Sequence, residues 1–334
     1  MSADQQNTVS VIVPFFNTRE DFLREAVASI LSQDYQPLQV LLVDDGSADA
    51  AGSAAREIAH ASPGTVRYIS QPDGQNRGAS AARNLGVSQS TGEYVAFLDA
   101  DDVWYPGKLA EQVALLESMP DVAMVFGLSE YWYDWRGSSP DTPTAFVPKL
   151  GATKKRVLSP PEFVVEFLRG RIIVPNPSNV MVRREPYVTS GGFERQFTGM
   201  YEDQVFYAKL GLRYMTCVVP KRWDRYRQHT NSLTAMARIS DDEPRHRRRF
   251  LLWLGEYCRV NDIDAPEVWE AIAKALWLCP QQDQGSIIRL VKVATWAKKH
   301  LLRVEERLVP RKLRRRWWLR GVSAEQGEQR EQEH

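Results

Sequence analysis

Apolar residues come in short β-branched bursts along the first hundred positions, and each burst stops against a polar cluster. Val9 to Val13 (VSVIV) predicts a buried strand ending at Pro14. Val40 to Val43 (VLLV) predicts a second, followed at once by Asp44-Asp45-Gly46-Ser47. Val66 to Ser70 is a third, and Tyr94 to Leu98 a fourth that runs into Asp99, Asp101 and Asp102. Between the bursts the apolar spacing turns helical. Thr18 to Asp21 resembles a capping box, and Phe22, Leu23, Ala26, Val27, Ile30 and Leu31 form one stripe. Residues 50–61 and 79–87 predict two more helices, the second closed by Thr91-Gly92. Strands alternating with helices predict a parallel sheet covered by helices. In such sheets ligands gather at the carboxyl ends of the strands. Pro14 to Asn17, Asp44-Asp45 and Asp99 to Asp102 all fall at such ends, which predicts one crevice.

The later pattern is less regular. Residues 121–149 carry Tyr131, Trp132, Tyr133 and Trp135 and then become a Pro/Ser/Thr/Gly loop. These aromatics suit either stacking on an acceptor sugar or filling a core. Arg171 to Arg184 has strand character broken by Pro175 and Pro177. Residues 201–212 predict a helix with Glu202 and Asp203 in its first turn. From Asp241 the pattern stays helical to about residue 308, and the polar stretch from Glu325 to His334 is expected to be disordered.

Composition narrows the function classes. A net charge of +1 on 334 residues gives no overall attraction to nucleic acid. Cys217, Cys258 and Cys279 are odd in number, widely spaced and free of any CxxC, so they predict reduced core thiols of a cytoplasmic protein. The polar start MSADQQNT lacks the basic-then-apolar order of a leader, and no apolar run reaches the roughly 20 residues of a spanning helix. Charge is uneven, however. Ser286 to Arg320 holds Lys298, Lys299, Arg303, Arg307, Arg311, Lys312 and Arg314 to Arg316 against Glu305 and Glu306, with Trp317-Trp318 at its end. Such a stretch suits peripheral contact with the anionic inner face of a membrane. A helix packed on the main domain with a solvated basic face is an equal reading.

The candidate chemistry lies in carboxylates. Three aspartates at one strand end repel each other unless a cation joins them. Mg²⁺ or Mn²⁺ takes one or two carboxylates plus substrate phosphates. Capping of the next helix by Asp102 would explain one of the three. Asp44-Asp45 can accept from a nucleobase N–H or a ribose hydroxyl, or form a plain Asp-Gly turn. Arg77 and Arg83 can reach a phosphate or carboxylate, although Arg83 equally suits a solvated helix face. Glu202-Asp203 offers a base for a hydroxyl proton, kept anionic by the helix dipole, or simple dipole complementarity. His229 can bind metal or phosphate, or serve as a structural residue.

VSVIVPFFN, LLVDDGSAD, RGASAARNLG, GEYVAFLDADD, GGFE and YEDQVF, in this order, resemble the glycosyltransferase family 2 domain over about residues 8–235. Residues 236–320 then form a helical extension and 321–334 a tail. The resemblance implies an α/β, GT-A-like, mostly parallel sheet flanked by helices. It implies a nucleotide-sugar donor, with UDP as the default, a divalent Mn²⁺ or Mg²⁺, and inversion at the anomeric carbon. By position, Pro14, Phe16, Asp44, Asp45, Arg77 and Asp99 would meet the donor. Asp99 and Asp101 would be the metal-binding DxD pair, with Asp102 a competitor and His229 nearby. Asp203, beside Glu202, would be the base. The implied acceptor is a glycan, a lipid-linked sugar or another hydroxyl, as in polysaccharide, glycolipid or cell-envelope glycan synthesis. Phe16 departs from the Tyr of many members, and Gln204-Val205-Phe206 leads to no Trp where many carry one. Two other readings stand: an inactive relative that binds nucleotide sugar or glycan, and a nucleotidyltransferase. The latter would want a Gly-rich, Lys-bearing phosphate loop where this chain has PFFN.

Overall fold

The computed structural model describes residues 7–137, 143–148, 154–230, 232 and 242–279. Its first half alternates as the apolar bursts predict: β1 (Val9–Phe15), α1 (Glu20–Leu31), β2 (Leu38–Asp44), α2 (Asp49–Ala61), β3 (Val66–Ser70), α3 (Ala79–Ser88) and β4 (Tyr94–Phe97). Every residue of β1 and β4 is buried, which is why these strands read as continuous apolar runs. Along β1, Val9, Val11, Val13 and Phe15 face a core shared with Leu23, Ala26 and Ile30 of α1 and Ala55 of α2. Ile12 points to the opposite face, where α3 lies so close that a side chain on Gly86 would stand 2.5 Å from it. Helices thus cover both faces. The capping box does not form: α1 starts at Glu20 after Arg19, without a side-chain cap. The Thr18 to Asp21 pattern is instead closed by Arg19 pairing with Asp21.

The second half adds β5 (Val103–Trp104), α4 (Lys108–Glu117), β6 (Val122–Trp132), β7 (Arg156–Leu158), α5 (Glu162–Leu168), β8 (Met181–Arg183), α6 (Arg184–Thr189), α7 (Glu202–Gly211) and β9 (Met215–Arg227). The sheet has nine strands in the order β3-β2-β1-β4-β8-β6-β9-β5, with β7 also on β9. The β3-β2-β1-β4 half is parallel. Beyond β4 the sheet is mixed, because β8 enters antiparallel to both β4 and β6. Of the strand character expected over Arg171 to Arg184, only β8 forms, since Pro177 starts a 3-10 turn.

Two features of this half position the site. Strand β9 is long enough to pair with β6 along its length and with β5 at its end, where Val103 faces Arg225 and Trp104 faces Asp224. Helix α7 is seated by packed rings: Phe206 stacks on Phe193 at 4.5 Å and lies tilted 5.1 Å from Tyr187. Two further helices follow, α8 (Glu243–Val260) and α9 (Pro266–Leu278). Phe250 of α8 stacks on Tyr201, just ahead of α7, at 5.5 Å. Among the described residues no helix is long and apolar enough to cross a membrane. The basic stretch from Ser286 to Arg320 lies outside the described residues.

Candidate active site

The carboxyl ends of β1, β2 and β4 open side by side because β1 lies between the other two in parallel register. Pro14 is buried within β1 opposite Val43, so from PFFN only Phe16 and Asn17 reach the surface. Phe16 is 46% exposed. Asn17 joins the first two strand ends: its N–H donates to Ser47 Oγ at 2.9 Å and its Oδ1 accepts from the Ala48 N–H at 2.8 Å.

Asp44 and Asp45 are both buried and engaged. Asp44 accepts from the Ser47 N–H at 2.7 Å and the Tyr68 hydroxyl at 2.8 Å. Asp45 accepts from the Gln71 side chain at 3.0 Å and from the N–H groups of Arg77 and Gly78 at 3.0 and 2.7 Å. This is more than an Asp-Gly turn, and it engages the oxygens expected to meet a nucleoside. The carboxylate fastens residues 71–78 to the strand end. Gly46, at φ 85°, lets that loop come close: a Cβ there would stand 2.7 Å from the Gly74 carbonyl. The Arg77 guanidinium turns outward and pairs with Asp73 at 2.6 Å.

The three aspartates after β4 divide. Asp99 and Asp101 keep 27% and 29% of their side chains exposed. Asp101 Oδ2 lies 2.9 Å from His229 Nε2. Asp102 is fully buried; its Oδ2 accepts from the Ser178 hydroxyl at 2.6 Å and its Oδ1 from the Arg227 N–H at 2.9 Å. Burial, then the charges of Asp101, Asp99 and Asp224, push its pKa well above the carboxylate range. Neither oxygen reaches solvent, which withdraws Asp102 from the expected cation-binding set. Nor does it cap the next helix, since α4 starts at Lys108.

His229 reaches Asp101 across 128 residues of chain. The pairing of β5 with the end of β9 makes the link. Arg227 reinforces it: its Nε donates to the Asp101 carbonyl at 2.6 Å, and its Nη2 to Glu25 at 2.6 Å. Its guanidinium sits 4.3 Å from the Phe22 ring and 4.4 Å from Trp132. The aromatic run therefore packs, in part, around this arginine.

At the start of α7, Tyr201 adopts φ 66° and leads into Glu202 and Asp203. Asp203 Oδ1 accepts from the Gln204 N–H at 2.7 Å. Burial pushes Glu202 up to about 7 and Asp203 up to about 6, and Arg83 opposes both shifts. Arg83 is no solvated residue. It is 3% exposed, with Nη2 2.6 Å from Asp99 Oδ1, Nη1 3.6 Å from Glu202 Oε1 and the Phe193 ring 5.2 Å away. The lone sequence sign of this was the small residues Ala79 to Ala82 beside it, which let α3 pack tightly.

The expected divalent cation fits this donor set. Asp101 and His229 bring one carboxylate and one imidazole together at a part-exposed place, and Asp99 stands two residues away. Oxygen with imidazole suits Mn²⁺, and Mg²⁺ through its oxygen ligands. Among the described residues no group of three or more His, Cys, Asp or Glu side chains is placed to hold a metal ion by itself. The substrate's phosphates would complete the shell, as hard cations commonly have it.

The glycosyl transferase family 2 profile matches residues 10–186, just over half of the chain. The chain is 42% identical over 100 residues to the uncharacterized glycosyltransferase YibD of Escherichia coli, covering 30% of this chain and 28% of that one. It is 36% identical over 118 residues to the glycosyltransferase GlyA of Streptococcus pneumoniae, covering 35% and 16%. The chain thus spans less than a third of either relative. Among solved structures, S. aureus TarS 1-349 in complex with UDP-GlcNAc aligns with a TM-score of 0.64 at 17% identity, over 90% of this chain and 82% of that one. The mannosyltransferase PcManGT of Pyrobaculum calidifontis, in complex with GDP-Man and Mn²⁺, aligns with a TM-score of 0.52 at 20% identity, over 88% and 84%. At these identities the structural likeness speaks for the fold, of GT-A type.

Proposed function

The chain belongs to glycosyl transferase family 2, and from that premise we propose an inverting transferase that moves a sugar from a nucleoside-diphosphate sugar to an acceptor hydroxyl. The observation that carries this reading is the meeting of two acid pairs through one arginine. Asp99 and Asp101 follow β4, Glu202 and Asp203 open α7, and Arg83 touches both pairs. One pair suits a leaving diphosphate, the other an incoming hydroxyl.

Asp203 takes the acceptor proton as the hydroxyl oxygen attacks the anomeric carbon. The bond from that carbon to the diphosphate oxygen breaks on the opposite side, and its electron pair leaves with the nucleoside diphosphate. One displacement inverts the configuration. A pKa near 6 keeps Asp203 mostly ionised at neutral pH yet basic enough to hold a proton. Phe16, exposed beside the crevice, offers a stacking face to the base. Asp101, His229 and Asp99 would hold the divalent cation, which when bound neutralises charge on the departing diphosphate.

UDP-sugars are the first donors to test and GDP-sugars the second, a ranking supported by the ligands of TarS and PcManGT. A glycan or lipid-linked acceptor at the cytoplasmic membrane face accords with the basic stretch 286–320. The test is a thermal-shift screen of UDP-, GDP- and dTDP-sugars with and without Mn²⁺, followed by nucleoside diphosphate release. One donor class should raise the melting temperature, and more so with Mn²⁺. A screen in which none does so removes the reading. Binding without release favours the inactive relative, and release of pyrophosphate from a nucleoside triphosphate supplied with a sugar 1-phosphate favours the nucleotidyltransferase.

A further inference from the structure

We infer, resting on that reading, that Arg83 is a positioning residue that couples the donor and acceptor halves of the site. It holds Glu202, and with it the first turn of α7 carrying Asp203, in register with Asp99 at the end of β4.

Two other arginines that point into the fold, the buried Arg227 and the half-buried Arg184, are well bonded. Arg227 donates to the Asp101 carbonyl and to Glu25. Arg184 donates to the carbonyls of Gly92 and Val87 and to the Ser90 hydroxyl. Arg83 differs. It makes one hydrogen bond, to Asp99; its Nε and Nη1 are buried without a hydrogen-bond partner, Nη1 meeting Glu202 only as an ion pair at 3.6 Å. Glu202 Oε2 and the Tyr207 hydroxyl are likewise buried and unpartnered. A guanidinium has five N–H donors, and leaving several unmet in a buried place is costly. A residue kept only for stability would be expected to meet them.

The arrangement makes sense as an electrostatic hinge pin. A guanidinium stays protonated throughout the accessible pH range. The cation is therefore permanent. It stands on α3, while its two carboxylates stand just after β4 and on α7. Tyr207 lies one turn beyond Asp203 on α7, on the same helix face. At 3% exposure Arg83 acts through its neighbours and not on the donor. Loss of the cation frees the start of α7 to shift relative to the strand end. Misplacement by about 1 Å can cost on the order of 100-fold in rate.

The test uses the full chain, UDP-GlcNAc and GDP-mannose with Mn²⁺, and water as acceptor, reading UDP or GDP release. Calorimetry with UDP or GDP and Mn²⁺ reads donor affinity separately. Arg83→Gln should lower kcat by about 100-fold while nucleotide affinity stays within about threefold of wild type. Arg83→Lys, which keeps the charge, should regain about tenfold of that loss. Glu202→Gln should cost about as much as Arg83→Gln, and the double variant little more, because the two act as one unit. An unchanged kcat in Arg83→Gln, or losses that simply multiply in the double variant, would overturn the coupling. Nucleotide affinity falling in step with kcat would overturn it too, marking a donor ligand. If the Arg83 variants do not fold, Glu202→Gln decides alone, and an unchanged kcat rejects the inference. A wild-type chain that binds and releases neither nucleotide instead rejects the transferase reading, and the coupling falls with it.

Discussion

At the scale of single residues, the site is a set of carboxylates sorted by their surroundings. Asp101 is part-exposed and next to an imidazole, Asp102 is enclosed, and Asp203 is half-buried in the first turn of α7. Burial raises Asp203 from 3.8 to about 6. Its proton is therefore bound more tightly in the folded chain. The stability this gives is full below about pH 4 and is lost as pH rises through 6. The catalytic limb runs the other way. We expect kcat to rise about tenfold per pH unit up to roughly pH 6 and then to level, with nucleotide affinity flat across the same range. Asp203→Asn should bind donor normally, lose transfer and lose the limb; a normal limb in that variant would dismiss Asp203 as the base. Asp101→Ala should weaken Mn²⁺-dependent nucleotide binding with little change in melting temperature. Asp102→Ala should instead destabilise by about 2–3 kcal/mol, since it strands a buried hydroxyl and a buried N–H. Equal effects of the two on Mn²⁺ dependence would contradict the division. The DxD pattern marks a strand end, but equal spacing on paper does not tell which aspartate turns inward. That is settled by Ser178 and the Arg227 N–H, which arrive from distant chain. For Arg83 the sequence left a carboxylate contact and a solvated helix face equally open, because its partners lie on two other segments of chain.

At the scale of elements, the apolar bursts gave β1 to β4 and α1 to α3 nearly residue by residue, since buried parallel strands and amphipathic helices leave strong periodicities. Two signals misled. The Thr18 capping pattern yields to Arg19–Asp21 pairing. The apparent strand over Arg171 to Arg184 yields to prolines. The Asp44-Asp45 pair illustrates a third limit: sequence marks the turn but not the loop it fastens. Asp45→Ala should release residues 71–78 and cost about 2–3 kcal/mol. Urea melts would read the loss, and faster proteolysis within that loop would place it. A melt unchanged from wild type would mean the loop is held by other contacts.

At the scale of the whole molecule, the parallel half and the mixed half meet at β4, and the candidate site straddles that seam. Helices α8 and α9 continue the fold beyond residue 235, with Tyr201 stacked on Phe250 and its hydroxyl 2.5 Å from Glu243. The boundary expected near residue 235 lies outside the described residues, and the first helix after it packs against Tyr201. Basic residues 286–320 form the remaining large-scale proposal. A chain ending at Lys292 should bind UDP as the full chain does but release from vesicles rich in phosphatidylserine. Retained vesicle binding would reject membrane contact by this stretch. Mixed topology was not legible beforehand, because β8 is three residues long and carries no period of its own.

Strand β9 has a bearing on how the protein could be divided. It supplies the neighbours of β5, β6 and β7 and leads directly to His229. The segment matched by the family profile stops at residue 186, before β9 and before α7. A fragment cut there would keep the carboxyl ends of β1, β2 and β4 but leave three strand edges unpaired and the acid pair at Glu202 missing. Such a piece is not a minimal enzyme but an aggregation hazard. Whatever changes accumulate in the first half during descent or engineering, the last strand has to be inherited with it.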